Sequence, residues 1–402
     1  MKTMAWPMEP EEVMRALRSI QFRHFKWDIF HRGDTSILPE ALVLTPEEHA
    51  RLTEAAEEVW AALREVEALV SSDEELLEGV AVPENLRGAV QSQRKDNPRV
   101  TRCDFHLTEK GQWVISEFND DVPSGFGECT GLAQELSQNW PNRFAGLEFR
   151  GDLRSAVEES MSDWPSIGFI HATGHSEDLQ HVALVKEWLA EAGHTTVLGS
   201  PSNFRVEDSK AFVFDTPVDA IFRYYPGEWI AELPNVEDWI QAASFLPIMN
   251  PLSSLASQSK RFYASWDEHN LDLTDTSRRW LDKYLPKSVY LSNLSAEEVL
   301  KNPKRWVLKG AFGRMGKTVR IGPLMPKKKW AQAVQEAFEV PHMVVAQKRF
   351  DTAPLWTSRG MGYATVGVYL VDGRFAGYFS RIDKGPLIDY DSWHVPTLVE
   401  IS

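Results

Sequence analysis

Arg102, Asp104, Glu117 and Asn119 stand at alternate positions of RCDFHLTEKGQWVISEFNDD, residues 102 to 121, two strand-like runs joined by a polar turn. Side chains two apart share one face of a strand, so Asp104 is expected opposite Glu117 and Asn119, with Arg102 one step along. Carboxylate and amide oxygens are the ligands a hard cation takes, and a guanidinium offers paired donors to phosphoryl oxygens. The set therefore suits Mg2+ held against a polyphosphate. A hairpin with an Arg/Asp pair and polar edge residues also occurs without any metal. The continuation DVPSGFGE is a Pro/Ser/Gly-rich loop leading directly off the second strand, and such loops carry function more often than stability.

A second centre lies in WVLKGAFGRMGKTVRIG, which places Lys309 at the end of a strand and Gly313 and Gly316 in the turn before the next. Glycines let backbone amides approach phosphate oxygens closely, and Lys309 and Arg314 add charge. A hairpin turn needing left-handed dihedrals would read the same way. The segment is not a Walker A loop, because GRMGKT is too short and runs into a strand instead of a helix. A lysine on one strand beside a glycine-bearing turn is a different solution to holding a nucleotide.

The elements that must position these residues follow from periodicity. Residues 9 to 31 and 46 to 70 read as helices, the second with Leu52, Ala56, Val59, Leu63, Val66 and Leu69 near 3.6 spacing behind a TPEE start. A hairpin over 99 to 118 and a helix from about 127 come next. Residues 166 to 199 have the strand, helix, strand rhythm of a parallel βαβ unit, a small Rossmann-like layer. No GxGxxG follows its first strand, so no dinucleotide site is assigned there, and His171 and His175 read as loop or capping residues. From 303 onward KRWVLKG, KTVRIG, a helix near 326 to 338, HMVVAQKRF, GYATVGVYLV and GRFAGYFSRI form an antiparallel α+β lobe.

The chain has 402 residues, 43% hydrophobic and 25% charged, enough for two or three domain-sized cores. Neither a signal peptide nor a membrane span is expected, since no run of eighteen apolar residues occurs. Cys103 and Cys129 are too few for a disulfide framework, which fits a reducing cytoplasm, and Cys103 should face away from the charged site. A net charge of -15 argues against nucleic-acid binding. The charge is uneven: residues 41 to 90 hold twelve acids against three bases, whereas residues 301 to 330 hold ten Lys or Arg and no acid. A local electropositive segment in an acidic protein points to a small polyanionic ligand.

Several ordered segments carry a resemblance. FKWDIF, RCDFH, SEFNDDVPSG with Glu128, RYYPGEW, NPL with Lys260, VLKGAFGRMGKTV, VVAQKRF, and VGVYLVDGRFAGYFSRID before HVPTLVE span nearly the whole chain. In that order they resemble the synthetase domain of the glutathionylspermidine synthetase family, an ATP-grasp family. The resemblance implies an α/β (α+β) chain of ATP-grasp fold, with the Rossmann-like βαβ layer and an antiparallel β-rich nucleotide lobe. It implies three blocks: 1–145 with the N-terminal helices, metal hairpin and substrate loop, 146–255 with the Rossmann-like region, and 256–402 with the nucleotide lobe and C-terminal sheet.

Residue by residue, the resemblance makes Asp104, Glu117 and Asn119 the Mg2+ ligands and Arg102 the group at the transferring phosphoryl. Lys260, Lys309, Arg314, Gly316, Gln347, Lys348 and Arg381 become ATP contacts, and Ser124, Glu128 and Glu228 substrate contacts. The implied activity is an ATP- and Mg2+-dependent carboxylate–amine ligase working through an acyl phosphate on small peptides, amino acids or polyamines. A phosphotransferase using the same cleft and a non-catalytic nucleotide-binding relative are the other readings. Two departures stand out. No counterpart of the amidase domain fused in some members is present, so product hydrolysis is not expected. SQSKRF around Lys260 is looser than the family's SNKA-like run.

Overall fold

The computed structural model describes residues 1–31, 33–313 and 316–401. Its centre is a six-stranded antiparallel sheet whose neighbours come from opposite ends of the chain. In order across the sheet the strands are Trp393–Val395, Arg374–Asp383, Gly360–Val371, Val100–Leu107 and Trp113–Asn119, and Pro354–Thr357 pairs beside Gly360–Val371. The 102–121 hairpin therefore does not stand alone. Its first strand is zipped to a strand some 260 residues later, with Asp104 opposite Gly367 and Arg102 opposite Tyr369.

The sheet register decides what faces what. Glu117, Asp104, Gly367 and Phe379 form one row across four strands, and Asn119, Arg102 and Tyr369 form the next. Arg381 lies opposite both Thr365 and His394. Because successive residues alternate, Cys103, Phe105, Phe118, Val366, Val368 and Ile382 point to the other side and join the main core. Cys103 faces away from the charged row, as its parity requires.

The core behind the sheet is supplied largely by the helix Pro46–Ser71. Thr45 begins it with a capping box: its hydroxyl accepts from Glu48 N at 3.2 Å, and Glu48 returns the bond to Thr45 N at 3.0 Å. Leu52, Ala56, Val59, Leu63, Val66 and Val70 along one face are fully buried, each large aliphatic contributing about 1.5–3 kcal/mol. The first helix spans Pro10–Arg23, shorter than the 9 to 31 read from periodicity. Phe25 takes a left-handed backbone conformation (φ 53°), which ends the helix and turns Lys26 inward.

Ser166–His171, Ser176–Glu191 and Thr195–Gly199 form the expected parallel βαβ unit, in a four-stranded sheet completed by Ala220–Tyr224 and Ile248–Met249. The nucleotide-lobe segment is a separate antiparallel sheet of Ser288–Tyr290, Val344–Lys348, Trp306–Gly310 and Arg320–Ile321, backed by the helix Lys327–Glu339. Only two residues of KTVRIG are strand, because Val319 N closes a turn on Gly316 O at 3.0 Å.

Candidate active site

A cavity of about 860 Å3 opens between the six-stranded sheet, the parallel sheet and the glycine turn of the smaller sheet. Arg102, Glu117, Asn119, Ser124, Glu128, Glu228, Gly316 and Arg381 all line it. Arg102, Glu117, Asn119 and Arg381 come together because neighbouring rows of the six-stranded sheet face this space, and the others reach it from the loops and helices around it.

Asp104 sits at the back of that wall, buried and bonded on every side. Arg102 grips it twice, Nε to Oδ1 at 2.7 Å and Nη2 to Oδ2 at 3.0 Å. Asn119 Nδ2 at 3.2 Å and Arg381 Nη2 at 3.3 Å share Oδ2. Burial opposes the Arg102 charge, but Asp104 more than offsets it and holds the guanidinium protonated well beyond its ordinary range. Arg102 Nη1 also donates to the Ser124 carbonyl, which takes a second bond from Tyr369 Oη at 2.7 Å, so the loop that follows the hairpin is tied to the arginine. The Phe379 ring lies under both arginines, 4.7 Å from Arg102 and 5.4 Å from Arg381.

Two lysines approach the hairpin, Lys309 from the strand Trp306–Gly310 of the smaller sheet and Lys260 from the turn between the helices Ser254–Gln258 and Phe262–Glu268. Lys260 Nζ is 3.0 Å from Glu117 Oε2, and Lys309 Nζ donates to the Ser116 carbonyl at 2.9 Å. Burial alone would raise the Glu117 carboxyl, but Lys260 and Lys309 outweigh it and pull it well below the usual carboxylate range. Lys260 is fixed by its own backbone, whose N–H donates to Ala311 O at 2.8 Å. The lysine of the looser SQSKRF segment thus pairs directly with Glu117, next to the Ser116 carbonyl that Lys309 holds.

The other expected contacts are placed as follows. Gln347 is buried on the face of its sheet that carries Lys309 and bonds Ser288 Oγ at 3.2 Å. Lys348 is on the opposite face, exposed, with its backbone N–H on Lys287 O at 2.8 Å, and it does not line the cavity. Arg314 lies outside the described residues. Gly316 has φ 69°, the left-handed conformation its turn requires.

Glu128 is buried and engaged by the protein's own cation: Lys26 Nζ lies 2.8 Å from its Oε1 and 2.7 Å from Asp28 Oδ1. Burial would raise the Glu128 carboxyl, yet Lys26, then His394 and His181, drive it far below the usual range. Its Oε2 has no hydrogen-bond partner among the described residues. Glu228 stands on the short helix Gly227–Ile230 at the far end of the cavity, near the paired rings of His175 and Trp229.

The model of the glutathionylspermidine synthase preATP-grasp family matches residues 13–400. The chain belongs to this family. The family is one of synthetase-type ligases, and the mixed α/β architecture agrees with the anticipated ATP-grasp class. A solved glutathione synthetase-like effector from Globodera pallida, in apo form, shares the fold with TM-score 0.63 over 97% of each chain at 11% identity. A putative gamma-glutamylcysteine synthetase from Methylobacillus flagellatus KT is 12% identical, with 85% of each chain covered and a TM-score of 0.44. The curated proteins contain no match to the sequence. Among the described residues no helix is long and apolar enough to cross a membrane.

Four residues at this site carried no role in the sequence. Lys26 and His394 lie in FKWDIF and HVPTLVE, segments that marked the family without revealing which side chain turns inward. Phe379 is the ring beneath the arginines. Gly367 is needed for space: a Cβ there would overlap the Phe379 carbonyl oxygen and meet Arg102 Cδ at 3.0 Å and Asp104 Oδ1 at 3.2 Å. A glycine in the middle of a strand was the available signal.

Proposed function

We propose that the chain is an ATP- and Mg2+-dependent carboxylate–amine ligase acting through an acyl phosphate. The observation that carries this reading is the cation cluster of the polar wall: among the described residues Arg102, Arg381, Lys260 and Lys309 gather about the carboxylates Asp104 and Glu117. Such a cluster in a largely buried wall calls for a polyanion, and a nucleoside triphosphate at the glycine turn would supply it.

The residues present fit Mg2+ in the way that ion is usually bound beside phosphates. Among the described residues no three acidic, His or Cys side chains gather into a cage, and Mg2+ typically takes one or two carboxylates while phosphate oxygens and waters complete the shell. Glu117 and Asn119 on the cavity wall would hold it, with Asp104 anchored directly behind them, and its chemistry would be to neutralise charge on the phosphates. Glu117 is a half-buried carboxylate on the cavity wall that stays ionised because Lys260 and Lys309 hold it so.

The residues of the chain then divide the work. Lys260, Lys309, Arg314 and Gly316 cradle the triphosphate, and Gln347 borders the nucleotide on the strand beyond, whereas Lys348, on the opposite face, is left without that role. Arg102 and Arg381 absorb charge on the phosphoryl group as it passes to the substrate carboxylate. Transfer of this kind is mainly positioning and electrostatic stabilisation. Ser124, tied to Arg102, presents the carboxylate. Glu228 receives the amine at the far end. Glu128 is already matched by Lys26, so it shapes the wall between them and does not bind a second ammonium.

The test is ADP release across a panel of carboxylates crossed with a panel of amines, with the product weighed by mass spectrometry. ADP release needing both partners, with loss of water in the product mass, supports the ligase. A stable phosphorylated product without an amine would establish a kinase instead. Asp104→Ala should abolish carboxylate-dependent ADP release in a folded protein, and unchanged turnover would sink the assignment.

A further inference from the structure

The cavity wall holds an imidazole, that of His394, which the phosphoryl-transfer step does not use. His394 is fixed by its own strand: its backbone N–H donates to Ser36 O at 2.8 Å, and its ring Nδ1 lies 3.2 Å from the same oxygen. A carbonyl only accepts, so the proton is assigned to Nδ1 and Nε2 carries the lone pair. Nε2 is 3.6 Å from Glu128 Oε1, beyond hydrogen-bond range, and that oxygen already takes Lys26. Among the described residues no hydrogen bond engages Nε2, and the residue lines the cavity.

The position relative to the arginines is what gives the ring a task. His394 pairs directly with Arg381 across adjacent strands, and its ring is 5.4 Å from that of Phe379, the ring over which Arg102 and Arg381 lie. The imidazole therefore stands one aromatic ring away from the groups that would hold the acyl phosphate. We propose that His394 is a catalytic base that takes the proton from the amine as it attacks the acyl phosphate, an inference that rests on the ligase reading above.

In this step the free-base amine forms the C–N bond at the acyl carbon, and the N–H proton passes to His394 Nε2. The C–O bond to phosphate breaks with its electron pair leaving on the phosphate, and the imidazolium then returns the proton to solvent. The charged groups around the ring are Lys26, Asp28, Glu128 and Arg381. Burial first, then Lys26, holds the imidazole down to about 4 against Glu128 and Asp28, so at neutral pH it enters the step unprotonated. The attacking nitrogen becomes far more acidic as its bond to carbon forms, so its proton can pass to the imidazole within the step. The Glu128 carboxylate is then placed to stabilise the transient imidazolium.

The experiment compares two nucleophiles on one acyl phosphate. ATP and Mg2+ are supplied with glutathione, glycylglycine or each of the twenty amino acids as carboxylate, and with hydroxylamine or spermidine as acceptor. Hydroxylamine is a free base at neutral pH and a reactive nucleophile needing little help, so hydroxamate reports acyl-phosphate formation and amide reports the assisted attack. His394→Asn and His394→Gln are expected to lower the ratio of amide to hydroxamate by about 10²-fold. In the unmodified protein, the solvent deuterium isotope effect should be larger for amide than for hydroxamate. A ratio unchanged in both variants, or equal isotope effects, overturns the role of His394. An unmodified protein that forms hydroxamate with none of these carboxylates overturns the ligase reading itself, and this inference with it.

Discussion

Lys309 shows how a single residue acquires a function from its surroundings. Its sequence position, the end of a strand before a glycine turn, marks it as a phosphate contact but says nothing of its charge state. In the fold, burial brings its ammonium down to about 8, with Glu117 resisting and Lys260 adding to the fall. It is charged below that value and neutral above it. The expected outcome is that kcat/KM for ATP, which reports groups of the free enzyme, falls about tenfold per pH unit above pH ~8. Lys309→Arg should remove that limb, because a guanidinium does not deprotonate in this range. A flat profile for the unmodified protein through pH ~10 would rule the assignment out. Asp104, Glu117 and Arg102 were legible as a set because strand parity fixes which side chains can meet. Lys26 and His394 were not, since Lys26 meets Glu128 and His394 meets Ser36 and Glu128 from far along the chain.

At the scale of elements, the decisive object is the strand Gly360–Val371. It separates the hairpin from Arg374–Asp383 and so decides whether Arg381 can reach Asp104. Gly367 makes that possible by leaving room for the Arg102 and Asp104 side chains to lie across the strand. Gly367→Ala should lower stability by about 1–3 kcal/mol in chemical denaturation, the usual cost of overpacking, and depress ADP release by displacing Arg102. A variant with both stability and turnover intact would show that the crowding is relieved elsewhere. Periodicity located this strand, the helix Pro46–Ser71 and the βαβ unit, because each carries a local hydrophobic pattern. It overran the first helix, where the chain reverses at Phe25 so that Lys26 can pair with Glu128, a reversal without a hydrophobic signature.

For the whole molecule, titration joins the site to stability. Burial, as the largest influence, lowers His106, His181 and His394 to about 4 each, whereas an unfolded histidine sits near 6.5. Between those values the unfolded chain binds more protons, so stability is full above pH ~6.5 and is lost as pH falls toward 4. Each histidine adds a slope of up to about 1.4 kcal/mol per pH unit. Glu67, raised to about 7 mainly by burial within its Arg64 and Asp120 cluster, works in the opposite sense over much of the same window. Three histidines against one carboxyl leave a net loss on acidification. Denaturation midpoints measured between pH ~7 and ~4 should fall accordingly, and a constant or rising midpoint would refute it. The sequence by itself determined the family, the elements and the polar row of the hairpin, because these depend on local spacing and ordered motifs. Only the tertiary structure decided that Arg381 and His394 stand beside that row, that Lys26 neutralises Glu128, and that Lys260 meets Glu117 where Lys309 holds the neighbouring Ser116 carbonyl. Those outcomes depend on which strands become neighbours, and long-range pairing leaves no periodic trace in the chain.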